Sequence, residues 1–258
     1  QGQIMTALQI RQFMCLNDNF GVLVHDPESG ATASIDAPEA GPIEAALAEA
    51  GWTLSHILNT HHHGDHTGAN LELKARTGCT IAGPAASKIP GIDIELADGD
   101  TFDLGGHAAR VIATPGHTLD AISYWFESDE TLFTGDTLFA LGCGRIFEGT
   151  PPQMWASLRK LMALPPQTAV YCGHEYSEAN SRFALTIEPG NALLVERAEE
   201  IVALRARGKP TLPTTIGDEL DTNPFLRAGN PETQAQIGMA GADPARVFAE
   251  IRKRKDNF

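Results

Sequence analysis

The stretch Thr60-His61-His62-His63-Gly64-Asp65-His66 places four histidines and one aspartate within seven residues. The apolar segment before it, 56–60, is typical of the end of a buried strand. His61 and His63 are two residues apart, so an extended backbone directs both rings to one side. The glycine permits a sharp turn, and a helix is predicted over 67–76. One turn can therefore present two imidazoles, followed by a carboxylate and a third imidazole.

Four residues of this stretch form the spacing H-x-H-x-D-H: His61, His63, Asp65 and His66. Imidazole and carboxylate ligands suit a zinc-like or iron-like divalent ion. Adjacent Asp65 and His66 leave little room to close one tetrahedron with the other two, so two neighbouring metals are the more natural interpretation. The alternative is a histidine-rich surface turn, or core histidines with satisfied hydrogen bonds. The pattern at a strand end favours the metal site.

The composition is that of a globular protein of moderate size. The chain has 258 residues, 42% of them hydrophobic, which allows one large domain or one domain with a small appendage. The formal net charge of −14 argues against DNA or RNA as a partner, because polyanions require a basic face. No apolar run approaches the ~20 residues that span a bilayer, so no membrane partner is expected.

Cysteine usage and the N-terminus predict a cytoplasmic location. The four cysteines are widely spaced and form no CxxC motif, so free thiols in a reducing compartment are the default. Residues 1–10 lack a basic segment followed by an apolar core, and we expect no signal peptide. We expect the protein to act as a monomer.

The order of predicted elements indicates an α/β protein with two sheets. Strands are predicted over 7–15, 20–25, 31–35, 52–60, 79–82, 101–104, 107–113, 121–126, 131–134 and 168–172. The first three are expected to form an antiparallel meander, and two hairpins are expected, one from 101–104 with 107–113 and one from 121–126 with 131–134. Helices are predicted over 42–50, 67–76, 150–164, 175–187, 191–207 and 243–255, with a loop rich in proline and threonine over 209–224. Thr150 is the expected N-cap of the third helix. We therefore divide the chain into a two-sheet domain, 1–174, and a small helical domain, 175–258.

Three later strands each end in a glycine that is followed at once by a potential ligand: His117, Asp136 and His174. Glycine permits a tight turn and close approach of the backbone to a metal. Loops at strand ends are where sites are usually built. The candidate ligands are then His61, His63, Asp65, His66, His117, Asp136 and His174.

Five imidazoles and two carboxylates can hold two metals if one carboxylate bridges them. We choose Asp136 as the bridge, because its two oxygens can each face a metal. Two metals ~3.5–4 Å apart leave a shared position for water, which loses a proton near neutral pH. A metal-bound hydroxide would be the nucleophile, and no serine or cysteine nucleophile is needed. The remaining histidines are assigned structural or surface roles: His25, His56, His62 and His107.

These residues resemble the metal-binding pattern of the metallo-β-lactamase superfamily. Within it, the chain is similar to the glyoxalase II, or hydroxyacylglutathione hydrolase, family through motifs spread over almost its whole length. The motifs are NTHHHGDH (59–66), TPGHT (114–118), TGDTLF (134–139), CGR (143–145), CGHEY (172–176), IEPGN (187–191), NPFLR (223–227) and RKRKDNF (252–258). The resemblance implies an αββα sandwich followed by a small C-terminal α-helical domain.

The resemblance also implies a role for each candidate residue. The first metal would be bound by His61, His63 and His117. The second would be bound by Asp65, His66 and His174, with Asp136 bridging. We expect two zinc ions, although His and Asp ligands also accept iron or manganese. Glutathione has two carboxylates, which arginine and lysine can hold, and the implied substrate-binding residues are Arg145, Phe147, Tyr176, Arg252 and Lys255.

The chain departs from the family pattern at three places. Phe147 stands where a tyrosine is common, and it can pack but cannot donate a hydrogen bond. Arg145 stands where lysine is common, which keeps the charge but changes the geometry. Residues 119–121 are Leu-Asp-Ala, where relatives often carry Gly-His.

The implied activity is hydrolysis of S-(2-hydroxyacyl)glutathione thioesters, chiefly S-D-lactoylglutathione to glutathione and D-lactate, in methylglyoxal detoxification. Alternatives are a mononuclear iron persulfide dioxygenase acting on a glutathione derivative, or another thioester hydrolase of the superfamily. An RNA phosphodiesterase uses a similar metal pattern, but the net charge disfavours it. A zinc-dependent binding module without turnover would require a disrupted site, and none of the seven ligands is disrupted.

Overall fold

The computed structural model of the chain describes residues 6–85 and 87–258. The chain divides into two compact units. Unit 1 comprises Gln1–Ala113 and Asp120–Gly135, and unit 2 comprises Thr114–Leu119 and Asp136–Phe258. The first five residues, on which part of the signal-peptide expectation depends, lie outside the described residues.

The first sheet of unit 1 has its strands in chain order. They are β1 (Gln9–Cys15), β2 (Asn19–His25), β3 (Thr32–Ile35), β4 (His56–Leu58), β5 (Thr80–Pro84) and β6 (Ile94–Leu96). The opening meander is antiparallel, as predicted. From β3 onwards the pairs are parallel, and parallel pairs require crossover connections. The helices in these connections are α1 (Ala40–Ala50), α2 (Gly64–Thr67) and α3 (Asn70–Thr77).

The core of this part of unit 1 is built from the apolar faces of α1 and α3 and from the sheet. Ile43 and Leu73 on the helices are fully buried, as are Ile57 and Ile81 on β4 and β5. Because β3 and β4 are parallel neighbours, their carboxyl ends meet at the same edge of the sheet. The residues that follow these two strands are therefore placed side by side.

Four further strands of unit 1 form an antiparallel array in the order β10-β9-β8-β7. They are β7 (Thr101–Leu104), β8 (His107–Ala113), β9 (Ile122–Phe126) and β10 (Thr131–Phe133). Leu104 pairs with His107 across one turn, and Phe126 pairs with Thr131 across the other, through a short 3-10 helix. Both predicted hairpins are confirmed.

Two element predictions for unit 1 are wrong. The strand predicted over 52–60 is restricted to β4, and at its carboxyl end Thr60 N leaves the ladder and donates to the Asp36 carboxylate at 2.7 Å. The helix predicted over 67–76 corresponds to α3 and starts later, because Ala69 N donates to the Ala37 carbonyl at 2.9 Å, while α2 forms a separate short helix before it. Strand β6 has no counterpart in the prediction.

Unit 2 is mainly helical. Its helices are α4 (Pro151–Met162), α5 (Ser177–Ile187), α6 (Ala192–Ala206), α7 (Ile216–Thr222), α8 (Pro231–Gln236) and α9 (Pro244–Asp256), with a 3-10 helix at Leu226–Gly229. Two short antiparallel pairs accompany them: β11 (Leu138–Phe139) with β12 (Gly142–Cys143), and β13 (Ala169–Tyr171) with β14 (Thr214–Thr215). Across the part of the chain that the structure describes, no helix is long and apolar enough to span a bilayer.

Local capping signals and a buried aromatic cluster define the helices of unit 2. Thr150 and Gln153 form a capping box at the start of α4, as the predicted cap at Thr150 requires. The rings of Phe183 and Phe225 are 6.0 Å apart, and those of Phe225 and Phe248 are 5.9 Å apart. These three side chains are almost completely buried and join α5 and α9 to the segment before the 3-10 helix.

The loop predicted over 209–224 is also wrong, because it contains β14 and α7. The Thr215 hydroxyl accepts from Asp218 N at 3.1 Å and caps α7. The buried carboxylate of Glu219 then pairs with Arg197 of α6 at 2.5 Å. This contact joins residues 22 positions apart, and local proline and threonine content does not reveal it. Helix α8 likewise has no counterpart in the prediction.

Candidate metal centre

The turn after β4 gathers three of the predicted imidazoles within unit 1. The ring centroid of His61 lies 4.8 Å from that of His63 and 4.2 Å from that of His66. His61 and His66 are buried, and His63 is half-buried. The rings lie on the turn that follows the strand, as predicted, although β4 ends at Leu58 and not at residue 60.

Asp36, which was not among the sequence candidates, organises this turn. Its buried carboxylate accepts from Thr60 N at 2.7 Å, from Thr60 Oγ1 at 2.8 Å and from His66 Nδ1 at 2.8 Å. Asp36 directly follows β3, beside the end of β4. The signal that could have identified it is therefore the parallel register, which carries no local motif.

The hydrogen bonds of this turn determine which ring nitrogen each histidine presents. Asp36 holds Nδ1–H of His66. The Thr60 hydroxyl donates to Asp36 and so accepts from Nδ1 of His61, at 3.0 Å. With Nδ1 protonated, the lone pair of each neutral ring is on Nε2. Hydrogen bonds of this kind orient histidines that bind metals.

Asp65 lies beside His66 and is held by Asn19, the first residue of β2. The Asp65 Oδ2 atom is 3.5 Å from His66 Nε2 and accepts from Asn19 Nδ2 at 3.0 Å. Asn19 Nδ2 also donates to the Asp65 carbonyl at 3.1 Å. The carboxylate is thus fixed on the same side of His66 as the nitrogen that carries the lone pair.

Unit 2 brings the other three predicted ligands together around one carboxylate oxygen. Asp136 Oδ2 lies 3.4 Å from His117 Nε2 and 3.2 Å from His174 Nε2. All three residues are buried. The Nδ1–H of His117 donates to the Arg145 carbonyl at 2.7 Å, which leaves its lone pair on Nε2, facing Asp136.

The backbone packs closely against this group at Gly144. A Cβ atom at this position would collide with the carbonyl oxygen of Asp136 and would lie 3.2 Å from His117 Nδ1. Only a residue without a side chain permits this approach. Gly144 thereby allows the next residue, Arg145, to present its carbonyl to His117.

Two cysteines lie near these ligands in the sequence, but neither is suited to act as a nucleophile. Burial raises the pKa of Cys143 to about 11, and it raises the pKa of Cys172 even more. Because the thiolate is the reactive form of cysteine, both thiols are unreactive near neutral pH.

The residues expected to bind substrate all belong to unit 2. Arg252 is buried, and its guanidinium donates to the Cys143 carbonyl at 2.9 Å and pairs with Asp256 at 2.8 Å. Arg145 is exposed, and its Nε atom lies 3.5 Å from the same Asp256 carboxylate. Arg252 therefore anchors the segment that carries Arg145, while Arg145 itself faces solvent.

Lys255 adds a third positive charge to this cluster. It is half-buried, with its ammonium 5.3 Å from the ring of Phe183. Desolvation, followed by the positive charges of Arg252 and Arg182, lowers the pKa of Lys255 below the ordinary value of 10.5. An acidic protein thus concentrates positive charge at the end of α9.

Aromatic rings contact two of the imidazoles in unit 2. Tyr176 stacks on His174 with ring centroids 4.7 Å apart and planes 5° apart. Phe147 meets His117 edge-on at 5.3 Å. Phe147 is 63% exposed, so this departure from the family pattern presents an apolar ring to solvent beside a predicted ligand.

The histidines that were assigned structural or surface roles contact other groups. His25 and His56 pack against aromatic rings, and His62 and His107 hydrogen-bond to carboxylates. Their partners are, in that order, Trp52, Phe102, Asp120 and Asp129.

The donor chemistry of both groups fits divalent metal ions. Each group combines imidazole nitrogen with carboxylate oxygen, and neither uses a thiolate, which is a ligand set accepted by Zn²⁺, Fe²⁺ and Mn²⁺. His61, His66 and His117 each donate from Nδ1 to an oxygen, so their Nε2 atoms carry the lone pair that can bind a metal. These His/Asp clusters can therefore bind divalent metal ions.

Comparisons with known proteins place the chain. A family model described as the metallo-beta-lactamase superfamily matches residues 26–174, and one described as the hydroxyacylglutathione hydrolase C-terminus matches residues 175–258. The hydroxyacylglutathione hydrolase of Mesorhizobium japonicum is 60% identical over 98% of this chain and 100% of its own length. That of Methylococcus capsulatus is 56% identical over 97% and 99%. The crystal structure of ETHE1 from Myxococcus xanthus has a TM-score of 0.69 at 28% identity, covering 95% of this chain and 90% of its own.

The fold and the His/Asp clusters define a protein of the metallo-β-lactamase superfamily. This confirms the predicted fold class, with its α/β sheets and C-terminal helical region. Within that superfamily, the chain belongs to the hydroxyacylglutathione hydrolase family. The predicted resemblance and the predicted hydrolase class are confirmed.

Proposed function

We propose that this chain hydrolyses S-(2-hydroxyacyl)glutathione thioesters, chiefly S-D-lactoylglutathione to glutathione and D-lactate, in methylglyoxal detoxification. Water adds to the acyl carbon, the C–S bond breaks, and the sulfur leaves as the glutathione thiol. The observation that carries the proposal is the near full-length similarity, at 55–60% identity, to relatives named hydroxyacylglutathione hydrolase. The persulfide dioxygenase alternative is not favoured, because the relatives at this level of identity are named as hydrolases and not as dioxygenases.

The seven predicted ligands are proposed to form one dinuclear centre. His61, His63 and His117 would hold the first ion, Asp65, His66 and His174 the second, and Asp136 would bridge them. The matched superfamily segment, 26–174, spans all seven. Zinc is the proposed metal, with iron or manganese as alternatives. When bound, such ions supply a water of lowered pKa and polarise a carbonyl oxygen.

The basic cluster of unit 2 supports recognition of glutathione, which carries two carboxylates. Arg145 and Lys255 offer charge-assisted hydrogen bonds, which are stronger than neutral ones. Arg252 contributes positive potential and fixes the segment that carries Arg145, through its bond to the Cys143 carbonyl. Tyr176 and Phe147 would line the path of the substrate beside His174 and His117.

A lysine pair on α9 provides the test of substrate recognition. Lys255→Ala should raise KM for S-D-lactoylglutathione about tenfold, the loss expected for one hydrogen bond to a charged group, and should leave kcat nearly unchanged. The matched control is Lys253→Ala, an exposed lysine of the same helix. An unchanged KM in the Lys255 variant, or an equal rise in both variants, would contradict the proposed recognition.

The domain boundary, the location and the partners of the protein are also proposed. A boundary between a catalytic domain, 1–174, and a substrate-binding domain, 175–258, is supported by the limits of the two matched family segments. A cytoplasmic location is supported by free thiols at all four cysteines. We further propose a monomer that acts on a small molecule, without nucleic-acid or membrane partners, which is consistent with a net charge of −14.

A further inference from the structure

A chain of hydrogen bonds runs from Ser87 through Asp120 to His62 within unit 1. The Ser87 hydroxyl donates to Asp120 Oδ2 at 2.5 Å, and His62 Nδ1 lies 3.0 Å from Asp120 Oδ1. The side chains of Asp120 and His62 are 12% and 35% exposed. Asp120 is one of the positions where the sequence departs from the family pattern, and the proposed reaction gives it no role.

The chemistry of the three side chains fixes the direction of both hydrogen bonds. An ionised carboxylate can only accept hydrogen bonds, so Ser87 donates its hydroxyl proton and His62 donates from Nδ1. Each oxygen of Asp120 is engaged by a different donor, which prevents rotation of the carboxylate. The His62 ring is consequently held by a carboxylate that is itself held in place.

His62 lies between two proposed ligands, so its position affects both. Its ring meets the ring of His63 edge-on, with centroids 5.1 Å apart. The same two segments are also joined by a backbone hydrogen bond, from Ile122 N to the Thr60 carbonyl at 2.9 Å. The turn is therefore tied to the segment at Asp120 at two points, one on either side of His61.

We propose that Asp120, supported by Ser87, is a positioning residue that acts through His62 to hold His61 and His63 in the orientation that binds metal. The inference depends on the dinuclear centre proposed above. The Asp120 carboxylate is assigned no contact with substrate or metal. It restricts the backbone between His61 and His63, so that less conformational entropy is lost when the ion binds.

The test measures how fast metal leaves the zinc-loaded enzyme in excess chelator. Asp120→Ala should release zinc about tenfold faster than the wild type, in line with the loss of an outer hydrogen-bond partner, and Ser87→Ala should have a smaller effect. Asp120→Asn should fall between Asp120→Ala and the wild type, because its amide oxygen can still accept from His62. The matched control is Glu95→Gln, which removes an exposed carboxylate on β6 of the same unit.

Kinetics distinguish positioning from a general loss of stability. The Asp120 variants should lower kcat for S-D-lactoylglutathione while KM stays within about twofold, because substrate recognition is assigned to other residues. Asn should rescue part of the kcat that Ala loses. If Asp120→Ala does not fold, Ser87→Ala and Asp120→Asn decide the question in the same two assays.

Two results would overturn the inference, and they are distinguishable. Wild-type rates of zinc release in the Asp120 and Ser87 variants, with both metals bound, would remove the positioning role and leave the metal centre intact. A wild-type protein that binds no zinc would remove the metal centre itself, and this inference with it.

Discussion

One carboxylate, Asp36, determines the orientation of the histidine turn at the scale of single residues. It holds His66 directly and His61 through the Thr60 hydroxyl, so both rings present Nε2. Metal ligation by neutral imidazole requires a known nitrogen to carry the lone pair. A residue that contributes no ligand atom in the proposed centre thus prepares two that do.

Asp36→Asn should weaken zinc binding about ten- to a hundredfold, because the amide cannot accept from both Thr60 and His66 as the carboxylate does. Isothermal titration of the metal-free protein with zinc measures this change. Asp26→Asn is the matched control, since Asp26 is an equally buried aspartate that accepts from Glu28 N and Ser29 N. Equal zinc affinity in Asp36→Asn and the wild type would contradict this role.

The lowered pKa of Lys255 should make substrate binding depend on pH. Its pKa is lowered, chiefly by desolvation, so it loses its positive charge at a lower pH than an ordinary lysine. The KM of the free enzyme for an anionic thioester should be flat below that pKa and should rise as pH increases through it. Lys255→Arg stays charged throughout and should flatten the rise. KM profiles between about pH 7 and about pH 10 test this, and a flat wild-type profile would contradict it.

The sequence identified ligand types more readily than the groups that orient them. His61, His63, Asp65 and His66 form a dense local pattern. Asp36 is 24 residues from Thr60 and 30 from His66, and no spacing rule connects them. Only the parallel pairing of β3 with β4 brings them together.

The turns at the ends of short elements bring the backbone against the predicted ligands. After β12, Gly144 lets the chain pass so close to Asp136 and His117 that a side chain cannot be accommodated. The next carbonyl, from Arg145, then accepts from His117. The absence of a side chain at Gly144 therefore determines how closely the backbone that supports His117 can approach it.

Gly144→Ala should therefore lower both metal content and activity, the latter by about tenfold or more, because Asp136 or His117 must move. Metal analysis and kcat on the same preparation measure the effect. Gly190→Ala is the matched control in unit 2, since a Cβ atom there meets nothing within 4 Å. Full metal content and activity in Gly144→Ala would contradict the proposed close packing.

Elements with local start signals were predictable, and elements held by distant contacts were not. Thr150 and Gln153 mark the start of α4 within four residues, and the structure confirms the cap. Helix α7 also has a local cap at Thr215, but it is only seven residues long and is held in place by the pairing of Glu219 with Arg197, 22 residues away. Strand β4 stops early because Thr60 turns to Asp36, and this is also a non-local contact.

At the scale of the whole molecule, the candidate ligands are spread from His61 to His174, while the basic cluster combines Arg145 with two residues of α9. The net charge of −14 makes the positive charges of Arg145, Arg252 and Lys255 a local exception. An anionic substrate would be attracted to these three positive charges and repelled by the negative charge of the rest of the protein. The two matched family segments, 26–174 and 175–258, together include both features.

The dinuclear hydrolase is tested by adding zinc in steps to metal-free protein and following S-D-lactoylglutathione hydrolysis by the loss of thioester absorbance. Turnover should rise with zinc and level off at about two ions per chain. Asp136→Asn should show at most about one hundredth of that turnover. Absence of hydrolysis with two ions bound, or undiminished hydrolysis by metal-free protein, would contradict the dinuclear hydrolase.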